Sequence, residues 1–105
     1  MRVVRVGPLP HRAIEAAAEF HAKVVPEVLH PSRSQAGEDL VLIFPPAPYD
    51  HHGWRLAAVQ DLARAAAPAK VNGIVGDDAE AIAATLAWLE QAPGITGQLL
   101  SVQTG

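Results

Sequence analysis

The sequence predicts a small α/β domain with a four-stranded parallel sheet, in the order β-α-β-α-β-α-β. Three apolar runs predict strands because they are too short for helices and are bounded by glycine, proline or polar residues: Arg2–Val6, Leu40–Phe44 and Lys70–Val75. A fourth strand is predicted at Gln98–Val102. The segments between the strands have helical periodicity, and crossover connections of that length produce a parallel sheet.

Composition limits the class of protein. The 105 residues fit one domain, and 50% of them are apolar, as in a compact globular protein. The absence of cysteine excludes disulfides and thiolate sites and favours a reducing compartment. The apolar run in the first ten residues is too short for a signal peptide or a membrane span. A net charge of −3, with scattered Lys and Arg residues, does not suit a nucleic-acid backbone. We therefore expect a cytoplasmic protein that binds neither nucleic acid nor membrane.

The first helix is predicted from His11 to about Leu29, after the breaker Gly7–Pro10. It has a main apolar strip and a second one formed by Phe20 and Val24, so two of its faces require burial. Pro26 is expected to kink or tighten the last turn. The main strip consists of Ile14, Ala18, His21, Val25 and Val28. The segment Pro31–Glu38 is predicted to be a loop.

Two further helices are predicted in the second half of the chain. Asp50 can cap a helix over roughly residues 51–67, and Asp77 with Glu80 forms a capping box for the third helix, which Ala92–Gly94 ends. The alanine-rich flank of the second helix would allow a neighbouring backbone to approach closely. The second helix has the apolar stripe Leu56, Val59, Ala63 and Ala66, and the third has Ile82, Leu86 and Leu89.

Several short elements occur in a specific order after Trp54. A helix that ends in L-A-R and A-P (residues 62–68) is followed by the strand K-V-N-G-I (residues 70–74), and the chain closes with I-T-G-Q-L-L-S-V (residues 95–102). These segments resemble the C-terminal half of short-chain dehydrogenase/reductases, and Phe20–Leu29 resembles that family's long interface helix. The resemblance implies a single truncated Rossmann-like domain over residues 1–105. It also implies a last helix on the opposite face of the sheet from the first two.

The family's catalytic pair has no counterpart in this sequence. Counted back from the end of the second helix, the family's tyrosine falls near Pro48 and its lysine near His52. Tyr49 lies one place away, and Gly53 stands four residues after it. The two residues must be four apart so that both project from one helix face, with the lysine lowering the pKa of the phenol.

The family's other functional positions are also altered. Its serine position falls at Pro45–Pro46 and its asparagine position near Ala13, and no glycine-rich dinucleotide motif occurs. The resemblance therefore implies that no catalytic residue and no cofactor remain. The half of the family that is present is the half that oligomerises.

Other polar clusters have ordinary structural explanations. Tyr49–His52 is the only group of neighbouring metal-capable side chains, but adjacent residues at a helix start point in different directions, so no metal site is predicted. Capping explains the acidic residues of Asp77–Glu80. No serine lies in a nucleophile elbow. Trp54 and Trp88 suit either the core or an interface.

Our first hypothesis is a non-catalytic assembly module, either a homodimer or the companion of a full-length dehydrogenase. A helical layer with two apolar strips exposes more apolar surface than one small sheet can cover, and a twofold interface would bury the excess. The resemblance implies that the first two helices pack against their symmetry mates. The interface candidates are Phe20, Val24, Trp54, Ala58 and Ala65.

The second hypothesis is a small-molecule-binding protein for a nucleotide or an acyl thioester. Ligands of open α/β sheets bind beyond the carboxyl ends of the strands. That rim would contain Gly7, Pro45, Tyr49, His52 and Gly76. A third and weaker hypothesis is a residual enzyme that uses His52 as its base.

Overall fold

The sheet has the predicted architecture. A computed structural model describes residues 1–30 and 37–102 of the chain, so most of the loop predicted at 31–38 lies outside the described residues. The strands are β1 (Arg2–Arg5), β2 (Leu40–Phe44), β3 (Val71–Val75) and β4 (Leu99–Ser101). They form one parallel sheet in the order β1-β2-β3-β4, which confirms the predicted fold class.

The predicted first helix is interrupted by a wider turn. It consists of α1 (Ala13–Glu19), a π-helical turn (Phe20–Val24) and α2 (Val25–Leu29). Pro26 has no N–H group, and its ring crowds the carbonyl four residues earlier, which belongs to the π-helical turn. The irregularity therefore lies before the proline, and not in the last turn where the sequence placed it.

The remaining helices lie close to their predicted bounds, but their caps differ from the prediction. Helix α3 (His52–Ala66) follows a 3-10 turn, and the side chain of Asp50 does not cap it. Helix α4 (Ala79–Glu90) is capped by Asp78 and not by Asp77, because Oδ2 of Asp78 accepts a hydrogen bond of 3.1 Å from a backbone N–H in the first turn. Asp78 has extended backbone angles, as a capping residue requires.

The sheet separates two apolar cores, which makes three layers. Helices α1, α2 and α3 cover one face and α4 covers the other, as the resemblance implied. Because the strand order runs in one direction, helices on opposite faces give the last crossover the opposite hand from the first two. The first core includes Phe20, Val28, Leu40, Leu42, Phe44, Val59 and Leu62. The second includes Val41, Ile43, Ile74, Ile82 and Leu89, with Leu86 packed against it.

Two apolar stripes differ from their predicted positions. The buried stripe of α3 is Arg55, Ala58, Val59 and Leu62, so it begins one residue earlier than predicted and includes a charged residue. In the first helical segment, Phe20 faces the core, whereas Ile14 of the predicted main strip is 73% exposed. The sheet therefore covers Phe20 of the second strip and the C-terminal end of the main strip, where Val28 is also buried.

The side chain of Asn72 in β3 forms two hydrogen bonds with the loop that precedes β4. Its amide nitrogen donates to the carbonyl of Ile95 at 3.0 Å, and its Oδ1 accepts from the backbone N–H of Gln98 at 3.1 Å. These bonds position the loop that leads into β4. No helix among residues 1–30 and 37–102 has the length and apolar character needed to cross a membrane.

Candidate functional site

The carboxyl edge of the sheet is formed largely by proline-rich loops. All strands are parallel, so the segments that follow β1, β2 and β3 (residues 6–12, 45–48 and 76–78) leave the sheet at one edge. In open α/β sheets this is the edge beyond which ligands bind. Prolines in these loops offer carbonyl acceptors but no N–H donors. A ligand with acceptor groups must therefore find most of its donors elsewhere.

A cleft of about 380 Å³ lies between the loops after β1 and β2, and we call it the proline cleft. Its wall is mainly apolar, and its lining residues include no carboxylate. Arg55 lies at the cleft and also lines a neighbouring cleft of about 110 Å³. The proline cleft is lined by Val6, Pro8, Leu9, Pro10, His11, Pro45, Pro46, Ala47, Pro48, His51 and Arg55.

His51 connects the two loops to α3. Its side chain is buried, and its ring nitrogen Nε2 lies 2.9 Å from the backbone carbonyl of His11. The indole N–H of Trp54 donates to Nδ1 of His51 at 3.1 Å. A carbonyl can only accept and an indole N–H can only donate, so these partners assign a neutral ring with its proton on Nε2. His51 is therefore a structural residue with both ring nitrogens engaged.

Arg55 is a buried cation that has no anionic partner among the residues that the structure describes. The residue is 4% exposed, and no carboxylate in the described part of the chain forms an ion pair with it. Its Nη1 donates to the carbonyl of Pro45 at 2.8 Å, and its Nε–H has no acceptor among the described residues. The guanidinium carbon lies 4.9 Å from the centre of the Phe44 ring and 5.7 Å from that of Trp54. Burial lowers the pKa of Arg55 from its usual value, although arginine remains protonated in proteins.

Tyr49 and His52 are brought together at the surface. Their rings stack with centroids 5.5 Å apart and an interplanar angle of 5°, and Tyr49 is 86% exposed. Both line the smaller neighbouring cleft. Lys70, one of the chain's lysines, stands at the amino end of β3, where its Nζ lies 3.5 Å from Asp39. The other, Lys23, lies in the π-helical turn near Glu19.

The remaining rim candidates do not share a pocket with that pair. Pro45 lines the proline cleft and also a second cleft on the α4 side, which it shares with Gly76 and Asp77. Gly76 is required for packing, because a Cβ atom there would lie 2.8 Å from the carbonyl oxygen of Val102. Gly7 is exposed and has open space around it. The five predicted rim residues are thus distributed over several surfaces.

The interface candidates are only partly accessible. Phe20 and Ala58 are buried in the chain's own core, at 0% and 2% exposure, and leave no side-chain surface for a partner. Val24 and Trp54 are half-buried against that core, and Ala65 is exposed. Other apolar residues of the helical layer are exposed, notably Ile14, which is 73% exposed, and Leu29, which is 47% exposed.

Arg55 and His51 are not among the site residues predicted from the sequence. A detectable signal existed for Arg55, because it is spaced i, i+3, i+4 and i+7 with the apolar residues of α3. Charged residues are almost never fully buried unless they are paired, so a charged residue on the buried face of a helix is a candidate for a functional site. No comparable signal existed for His51, whose partners are remote in sequence or set by the turn geometry.

Among the described residues, no group of three or more histidine, cysteine or acidic side chains is arranged to hold a metal ion.

Comparison with protein families matches residues 4–102 to the model of a family described as SDR-like, short chain dehydrogenase-like protein. Neither the comparison with curated proteins nor the comparison with solved structures found a significant match.

Proposed function

Because this chain belongs to the short chain dehydrogenase-like family, we propose that it is a non-catalytic member that works by association, as a homodimer or as the companion of a full-length dehydrogenase. The observation that carries the proposal is the position of its lysines. Neither Lys23 nor Lys70 lies at the carboxyl edge, where Tyr49 and His52 stand. Proton transfer from a phenol to a carbonyl substrate needs a nearby cation that lowers the pKa of the phenol. That role is vacant at the position that the resemblance assigns to it. Arg55 shares the smaller cleft with Tyr49, but its guanidinium group is engaged by the carbonyl of Pro45 and the ring of Phe44.

The outer surface of the helical layer supports association. Ile14 and Leu29 expose large apolar side chains there, at 73% and 47%. Exposed alanines such as Ala18, Ala57 and Ala65 alternate with charged residues along the same helices. Small side chains allow another helix to approach closely, and the large ones supply buried area on contact. In a twofold-symmetric dimer, each of the two chains would contribute both kinds of side chain to the interface.

The test is the mass of the particle in solution, measured by light scattering during size-exclusion chromatography at micromolar concentration. We expect a dimer for the wild-type chain. The double variant Ile14→Glu, Leu29→Glu should be monomeric with an unchanged circular dichroism spectrum, because it places charge in the interface. Trp88→Glu is the matched control, since Trp88 is 54% exposed on α4, on the opposite face of the sheet. This control should remain dimeric.

Two results would overturn the proposal. One is a wild-type chain that is monomeric at micromolar concentration and does not co-purify with a dehydrogenase. The other is turnover of a carbonyl substrate with NADH or NADPH by the purified chain, which would contradict the non-catalytic assignment.

A further inference from the structure

We propose that Arg55 anchors a binding site for a small monocarboxylate in the proline cleft. The proposal concerns the carboxyl edge of the sheet and is independent of association through the helical layer. It rests on the burial of Arg55, on its Nε–H group that has no acceptor among the described residues, and on the lining of the cleft.

The burial of Arg55 is the first argument. A charged group removed from water is costly unless an opposite charge or a full set of hydrogen bonds compensates it. Arg55 is 4% exposed, and its one hydrogen bond to a described residue goes to a neutral carbonyl, that of Pro45. The aromatic faces of Phe44 and Trp54 compensate part of the charge. The negative charge that would compensate the rest is supplied by none of the described residues.

The orientation of the guanidinium group is the second argument. The ring of Phe44 and the carbonyl of Pro45 hold its plane and its Nη1 end. The Nε–H on the other edge has no acceptor among the described residues, and Nε itself is covered, so a ligand in the cleft must displace the atoms over it to reach this edge. A carboxylate matches this edge because its two oxygens accept two parallel N–H bonds from one guanidinium.

The lining of the cleft is the third argument, and it decides the class of ligand. Its volume of about 380 Å³ lies within the range of small-molecule sites, and its apolar wall, with Val6, Leu9 and several prolines, suits a short aliphatic body. Arg55 is the only Lys or Arg residue among its lining residues, so one negative charge is balanced and the two of a phosphate monoester are not. Asp77, which would repel an anion, is not among the lining residues of the proline cleft; it lines an adjacent cleft that shares Val6 and Pro45 with it.

The experiment follows the arginine Nε–H resonances of the ¹⁵N-labelled chain by NMR. Hexanoate is the test compound, hexanamide is its uncharged match, and inorganic phosphate tests the alternative anion. The Arg55 resonance is identified by its loss in Arg55→Lys. We expect a saturable shift of this resonance with hexanoate, and no saturable shift with hexanamide or phosphate over the same concentrations.

Two variants separate this site from a general charge effect. In the variants, binding is followed by the backbone amide resonances of Leu9 and Ala47, which line the cleft. Arg55→Met should weaken hexanoate binding about tenfold or more, as expected for loss of a hydrogen bond to a charged group. Arg55→Lys keeps the charge but lacks the planar fork, so it should also bind more weakly, and it serves if the methionine variant does not fold. Arg64→Met removes a cation from the exposed side of the same helix and should bind like the wild type.

Three results would overturn the proposal. The first is the absence of a saturable shift of the Arg55 resonance with hexanoate. The second is equal affinity for hexanoate and hexanamide, or equal loss of affinity in Arg55→Met and Arg64→Met. The third is phosphate binding at Arg55 as tight as that of hexanoate, which would exclude the monocarboxylate class.

Discussion

The substitution Phe20→Ala should lower the free energy of unfolding by about 3–5 kcal/mol. Phe20 is 0% exposed, and its ring centroid lies 5.6 Å from that of Phe44 and 5.3 Å from that of Trp54. The ring therefore fills the space between the π-helical turn, β2 and α3. The strand and the helix are held by their own hydrogen bonds, so they cannot collapse fully into the cavity, and the upper part of the range applies when they do not move.

Urea denaturation followed by circular dichroism at 222 nm is the measurement, and thermal denaturation is its complement. For a domain of this size, a loss of 3 kcal/mol corresponds to a fall in Tm of roughly 12 °C or more. Lys23→Ala is the control on the same helical segment, because the Lys23 side chain is 73% exposed and its truncation should change stability by about 0.5 kcal/mol or less. Equal effects of the two substitutions would refute the placement of Phe20 in the core.

Three further substitutions test local details of the fold by the same denaturation measurements. Gly73→Ala should lower the free energy of unfolding by roughly 1–3 kcal/mol, because a Cβ atom would lie 2.8 Å from a leucine methyl carbon and 3.0 Å from a valine methyl carbon. Gly53→Ala is the control and should be neutral or stabilising, because a Cβ atom there meets nothing within 4 Å. Equal effects of the two substitutions would contradict the packing around Gly73. Asp78→Ala should cost about 1 kcal/mol through loss of the helix cap, whereas Asp77→Ala should cost much less, and the reverse order would move the cap to Asp77. Asn72→Ala removes two partly buried hydrogen bonds, at about 0.5–1.5 kcal/mol for each; a loss well below about 1 kcal/mol in total would show that the amide does not hold the loop before β4.

Much of the fold is encoded in local sequence patterns. The strands β2 and β3 are continuous apolar runs, which is what burial on both faces of a parallel sheet requires, so the bounds of β2 were predicted to the residue and those of β3 within one residue. The glycines and prolines between elements mark where strands and helices end. The alternation of strands and helices then determined the parallel sheet, because crossover connections permit no other pairing.

The candidate site was predicted less well, because its residues are defined by contacts between distant segments. The loops after β1 and β2 form a cleft only because β1 and β2 are neighbours in the sheet. His51 was treated as part of an ordinary helix start, yet its partner His11 is 40 positions away in the sequence. The sequence presents Arg55 as one of several scattered cations, and its burial depends on the packing of α3 against Phe44.

Local patterns in the chain were sufficient to determine the fold class, the order of its elements and the absence of a tyrosine–lysine pair with the required spacing, because periodicity and spacing act between near neighbours. The tertiary structure decided which residues of the first helical segment are covered, and that Arg55 lies buried with no carboxylate of residues 1–30 and 37–102 paired with it. Both depend on the surface that each segment meets after folding, since burial and charge compensation are properties of contacts between elements and are not contained in any one of them.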